Sequence, residues 1–168
     1  FSHDRTQFYV GCADDNVIVV YETATAKLVK RIRGIEKPET FDLSPDGKTL
    51  YVSNEEDAAV SFVDVETGKV FGYVELGEEP EGVQVTADGS TVYVASEAAN
   101  IVHVIDTATA TIKADILVGT RPRRFALTPD EKELWVSAEL AGQVDIIDTR
   151  TNRTTGDIVF LPTRSEER

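Results

Sequence analysis

The stretch Phe41-Asp42-Leu43-Ser44-Pro45-Asp46-Gly47-Lys48-Thr49-Leu50-Tyr51-Val52-Ser53-Asn54 decides the fold. Phe41 to Leu43 is a short apolar run, and Leu50 to Val52 is β-favouring. Between them, Pro45-Asp46-Gly47 supplies a pre-set φ followed by a residue free to take φ > 0, which is turn chemistry. The stretch therefore reads as two antiparallel strands joined by a tight turn.

Its landmarks recur along the chain. Asp4, Asp46, Asp88 and Asp130 are 42 residues apart, and Tyr9-Val10, Tyr51-Val52, Tyr93-Val94 and Trp135-Val136 keep the same step. Pro38, Pro80 and Pro122 hold it, as do Glu22, Asp64, Asp106 and Asp148 at the ends of apolar runs. The 168 residues divide into four such lengths without insertion or deletion. Within each, apolar residues alternate or run over strand lengths, as in Val60-Ser61-Phe62-Val63 and Val144-Asp145-Ile146-Ile147. A helical repeat would instead place them three and four apart. A period near 40 to 45 residues with four short strands is the mark of a propeller blade.

The expected architecture is all-β: four 42-residue repeats as three complete four-stranded blades and a partial first blade, forming part of a seven- or eight-bladed β-propeller. The units span 1–36, 37–78, 79–120 and 121–162, followed by a polar tail at 163–168. Inner strands are expected to open at Thr40, Gly82 and Phe125, and the first unit lacks its inner strand. An open blade face of four strands presents about 300 Å², worth roughly 8 kcal/mol of burial. The remainder of a longer chain, a second copy, or closure of the four units on themselves would cover it. The first is favoured, since the sequence opens mid-unit without methionine.

The balance of 17 basic against 30 acidic residues gives a net charge of −13, which argues against nucleic acid and anionic membrane surfaces as partners. Cys12 is the single cysteine, so no internal disulfide forms. No apolar stretch is long enough to span a bilayer.

In a propeller, the loops from second to third strand and from each outer strand to the next inner strand gather around one end of the central channel. That geometry singles out two sets. Glu55, Glu97 and Glu139 occupy equivalent positions in the first kind of loop; they either offer oxygen ligands to a hard cation such as calcium or accept backbone N–H bonds. Glu39, Glu81 and Arg123 sit at the start of the inner strands. Arg121, Arg123 and Arg124 form a dense basic cluster that either clamps a small acidic ligand or pairs with Glu81 and Glu97 across blades. His103 reads as a packed strand residue, and a Ser–His–Asp grouping cannot be claimed from residues on different strands. Tyr9, Tyr51, Tyr93 and Trp135 read as packing between blades.

Tyr51-Val52-Ser53-Asn54, following Ser44-Pro45-Asp46-Gly47-Lys48-Thr49-Leu50, resembles the YVTN-type β-propeller repeat, and Val104-Ile105-Asp106-Thr107-Ala108-Thr109 is similar to its second half. Three further segments resemble the propellers associated with pyrroloquinoline-quinone (PQQ)-dependent catabolism. They are Asn54-Glu55-Glu56-Asp57, Glu79-Pro80-Glu81-Gly82-Val83, and Arg121-Pro122-Arg123 with Lys132-Glu133-Leu134-Trp135-Val136-Ser137-Ala138-Glu139. Glu131 departs from the pattern where a turn glycine is expected. The resemblance implies a periplasmic or extracellular module accessory to quinoprotein alcohol oxidation. It would be non-enzymatic, holding a protein partner or small acid at the channel mouth. The alternative is a lactonase-like or quinoprotein-type enzyme subunit with a metal or quinone there.

Overall fold

The computed structural model describes residues 1–160. Fifteen strands run in chain order: β1 (Gln7–Cys12), β2 (Val17–Glu22), β3 (Leu28–Ile32), β4 (Pro38–Leu43), β5 (Thr49–Asn54), β6 (Ala59–Asp64), β7 (Val70–Glu75), β8 (Pro80–Val85), β9 (Thr91–Ser96), β10 (Ile101–Asp106), β11 (Thr111–Leu117), β12 (Pro122–Leu127), β13 (Glu133–Ala138), β14 (Gln143–Asp148) and β15 (Arg153–Val159). They form four antiparallel meanders, β1-β2-β3, β4-β5-β6-β7, β8-β9-β10-β11 and β12-β13-β14-β15. This is a β-propeller arrangement of three four-stranded blades and a three-stranded first blade. Among the described residues no helix is long and apolar enough to cross a membrane. The tail at 163–168 lies outside the described residues.

Strand alternation feeds successive side chains to opposite neighbours. In the second blade Leu50, Val52 and Val63 join Ile18, Val20 and Ile32 of the first. The intervening Tyr51 and Phe62, together with Val60, join Val83, Val85 and Val94 of the third. A third core joins Tyr93, Val102 and Val104 to Leu134, Val136 and Ile147. Tyr51 and Tyr93 are thus buried between blades as the alternation requires, whereas Trp135 is half-buried and its Nε1–H donates to Glu133 at 3.0 Å.

Each turn aspartate caps its own hairpin: Asp46 Oδ1 accepts from Ser44 Oγ at 2.6 Å and Lys48 N–H at 3.0 Å. The position after it takes φ > 0 in every unit, including Glu131 at 53°, where glycine is absent. Glu131 Oε1 accepts the Ala87 N–H of the preceding blade at 2.6 Å, a contact that glycine would lack.

The inner strands depart from the sequence expectation. They open at Pro38, Pro80 and Pro122, earlier than Thr40, Gly82 and Phe125. Proline is tolerated as the first residue of a strand because its missing N–H falls outside the ladder, so here it marks the start and does not interrupt. Pairing then shifts between Pro38 and Phe41, between Pro80 and Val83, and between Pro122 and Arg124. The same bulge inserts one residue at the same place in each inner strand, and bulges re-aim side chains.

Candidate functional site at the axial mouth

The bulges carry Glu39, Glu81 and Arg123. Beside them lie the β5–β6, β9–β10 and β13–β14 loops, tied down by repeated backbone bonds. Glu55 N–H donates to Lys37 O at 3.2 Å, Glu97 N–H to Glu79 O at 2.8 Å, and Glu139 N–H to Arg121 O at 2.9 Å. Asn100 Oδ1 fixes the next crossover by accepting Arg121 N–H at 2.9 Å, as Asn16 does for Lys37 at the same distance. Both sets of residues singled out in the sequence therefore meet at one end of the axis.

Their side chains pair across blades. Arg121 Nε and Arg123 Nη1 each bind Glu97, one to each carboxylate oxygen. Arg123 Nη1 also lies 3.4 Å from Glu81 Oε1, and Arg124 Nη1 lies 3.4 Å from Glu81 Oε2. Glu139 completes the cluster at 3.6 Å from Arg121 Nε and 3.7 Å from Arg123 Nε. Glu81 and Glu97 are buried, at 6% and 8% exposure, whereas the Arg124 side chain is 57% exposed. Buried carboxylates require such partners, and guanidinium supplies several donors from one plane.

Glu81 also belongs to an acidic group at the same mouth. Carboxylate oxygens of Glu39, Glu55 and Glu81 all lie within 4.8 Å of one another. Burial pushes the Glu39 carboxyl above its ordinary range, and a hydrogen bond with Glu55 and repulsion from Glu81 and Glu55 push it further. Glu55 moves down, chiefly because Lys37 Nζ donates to it at 2.6 Å. Glu81 moves up because burial outweighs the attraction of Arg123 and Arg124. The protonated form is therefore favoured at Glu39 and the ionised form at Glu55. An all-oxygen set of this kind suits a hard cation, whose binding competes with protonation of the carboxylates. Of the loop glutamates Glu55, Glu97 and Glu139, the structure places Glu55 in this set and the other two among the arginines.

One grouping escaped the sequence reading. In the third blade His103 Nδ1 lies 2.6 Å from Asp115 Oδ1, and His103 Nε2 lies 3.0 Å from Ser96 Oγ. The layout is that of a hydrolytic triad, but Ser96 is 0% exposed and Nε2 also accepts the Gly77 N–H at 3.1 Å. A backbone N–H can only donate, so Nε2 is the acceptor and the ring proton sits on Nδ1, facing Asp115. In the fourth blade Asp145 does the same for Gly119 N–H, at 2.8 Å. The position pins the crossover loop. Aligning His103 with Asp145, and Gly77 with Gly119, at the 42-residue step is the signal that would have found it.

No protein-family model matches this chain, and no curated protein matches it either. Among solved structures it is similar to a chain of Kuenenia stuttgartiensis hydrazine synthase, with a TM-score of 0.86 and 26% identity over 92% of this chain. The similarity covers 46% of that chain, so the present sequence spans less than half the length of its solved counterpart.

Proposed function

We propose that the protein is a non-enzymatic binding or scaffold propeller whose axial mouth receives a carboxylate, from a small acid or from an acidic side chain of a protein partner. One observation carries this reading: three arginines converge at the mouth, two locked on buried glutamates and the third, Arg124, exposed and held in place by Glu81. A guanidinium fixed by one carboxylate is pre-organised to bind a second. The YVTN-type and PQQ-associated segments support a periplasmic or extracellular module serving quinoprotein alcohol oxidation. That the similar solved chain bears the name of an enzyme, hydrazine synthase, fits a module that accompanies catalysis.

Calorimetric titration with malonate tests the reading. Saturable binding that Arg124→Gln weakens at least about tenfold is expected for a charge-assisted pair. Equal heats from the wild type and Arg124→Gln would remove it.

A second reading has calcium at Glu39, Glu55 and Glu81, favoured by their oxygens lying within 4.8 Å of one another. It predicts calcium uptake that weakens with falling pH and is lost in Glu39→Gln/Glu55→Gln. Calcium retention by that variant would refute it.

A further inference from the structure

We propose that a cavity between the first and second blades, separate from the axial mouth, binds a small organic cation: a primary ammonium on a short carbon stem. The cavity has a volume of about 330 Å³ and is lined by Gly34, Asn54, Asp57, Ser61, Tyr73 and Glu75 among others. That volume lies at the lower end of the range for small-molecule sites.

The repeat supplies an internal control. At the junction between the second and third blades, the place equivalent to Ser61 holds His103, whose Nε2 takes the crossover N–H of Gly77. Between the third and fourth blades it holds Asp145, which takes the N–H of Gly119 and a bond from Gln143 Nε2 at 2.7 Å. Both junctions are closed: a Cβ on Gly77 would meet Ala99 at 3.0 Å, and one on Gly119 would meet Ala138 at 2.9 Å. At the first junction the position equivalent to Gly77 and Gly119 is Ile35, buried in the core, while beside it a Cβ on Gly34 would meet nothing within 4 Å and Ser61 is shorter than His103 or Asp145.

What lines the cavity is specific to this blade. Asp57 stands where the other two blades have Ala99 and Ala141, and Glu75 stands where they have Leu117 and Val159. Tyr73 replaces Asp115 and Asp157 and brings an aromatic ring. Asn54, 2% exposed, gives its Nδ2 to Ser61 Oγ at 2.5 Å, while its Oδ1 is buried and accepts no hydrogen bond from any described residue. Such an orphan acceptor is costly unless something donates to it.

One buried acceptor, two carboxylates and an aromatic ring call for a ligand with several N–H donors and a positive charge. An ammonium meets all three demands, with the ring available for cation–π contact. Neutral alcohols supply too few donors, and anions are repelled by Asp57 and Glu75.

The test is calorimetry on the purified protein with butylammonium, and with 1-butanol and butyrate as neutral and anionic counterparts. Saturable butylammonium binding is expected, with a Kd of about 1 mM or tighter for a ligand of this size. Asp57→Ala/Glu75→Leu, at exposed positions and matching residues of the other blades, weakens it about tenfold or more. Ser61→His places an imidazole in the cavity and abolishes binding; should that variant misfold, Asn54→Leu replaces it. Glu22→Gln/Glu66→Gln, which removes as much charge elsewhere, leaves affinity unchanged. Failure of butylammonium to saturate, equal affinity in Asp57→Ala/Glu75→Leu, or 1-butanol binding as tightly would each overturn the proposal.

Discussion

Arg124 and Thr40 lie two repeats apart, 84 residues along the chain, yet Arg124 Nη1 donates to Thr40 Oγ1 at 3.0 Å. The equivalent position of the blade between them is Gly82, which has no side chain to obstruct the path. Meanders stacked along a line would hold the second and fourth sheets apart by the thickness of the third. Their direct contact is the signature of sheets fanned about a centre.

Gly82 is the tightest point of that fan. A Cβ there would fall inside van der Waals contact with the Arg123 carbonyl oxygen and 3.1 Å from Phe125 Cε2. Backbone cannot step aside as a flexible side chain can, so Gly82→Ala should destabilise the protein by about 1–3 kcal/mol. Urea denaturation measures it; a neutral result would mean that the inner strands separate freely.

Arg123 touches Glu81, Glu97 and Glu139. Arg123→Gln leaves Glu97 and Glu81 buried with less compensation and should cost roughly 2 kcal/mol, less than a fully buried pair because the arginine is partly exposed. Pairing it with Glu97→Gln should recover part of the loss, a coupling that a double-mutant cycle reads directly.

Stability should pass through a maximum in mild acid. Glu39, Glu81 and Asp42 have folded pKa values raised mainly by burial, so the native state binds more protons and gains stability as pH falls toward 4.5, the ordinary glutamate value. Asp4 and Asp130 are held at about 2, the first mainly by the Ser2 hydroxyl and the second mainly by Lys132. Their contribution is complete above the ordinary 3.8 and is lost as pH falls toward 2. Asp46 and Asp88 shift the same way through their turn hydrogen bonds. Urea midpoints measured between pH 7 and 2 at low protein concentration should therefore rise and then fall, with the maximum near pH 4. A monotonic decline from neutrality would contradict the raised carboxyls.

His103→Ala should leave the Gly77 N–H without its acceptor and cost about 1–3 kcal/mol. Amide exchange should localise the loss to Gly77 and its crossover loop. Ser96→Ala should cost less, since Gly77 N–H keeps His103.

The 42-residue period made most of the fold legible. The second and third strands of the complete blades, such as Thr49–Asn54 and Ile101–Asp106, begin and end as the turn chemistry on each side dictates. The inner strands open two or three residues before the expected Thr40, Gly82 and Phe125, because proline, whose missing N–H falls outside the ladder, can be the first residue of a strand. At the mouth, pairing of Arg121, Arg123 and Arg124 with Glu81 and Glu97 was one of two readings open from the sequence, and composition cannot choose between intramolecular partners and a ligand. The grouping of Glu39 with Glu55 and Glu81 was not legible, because it depends on the extra residue in each inner strand. The contact of His103 with Asp115 requires the β10–β11 register, in which they are directly opposite.

The recurring bulge has a consequence for how such a molecule changes over generations. Each inner strand presents one socket outside the ladder, occupied here by glutamate, glutamate and arginine, while the interlocking cores sit elsewhere on the same sheets. A codon change there can therefore rewrite the recognition chemistry of the rim without touching the apolar cores, much as a key blank is recut along one edge, provided that a paired socket residue such as Arg123 changes together with the carboxylate it holds.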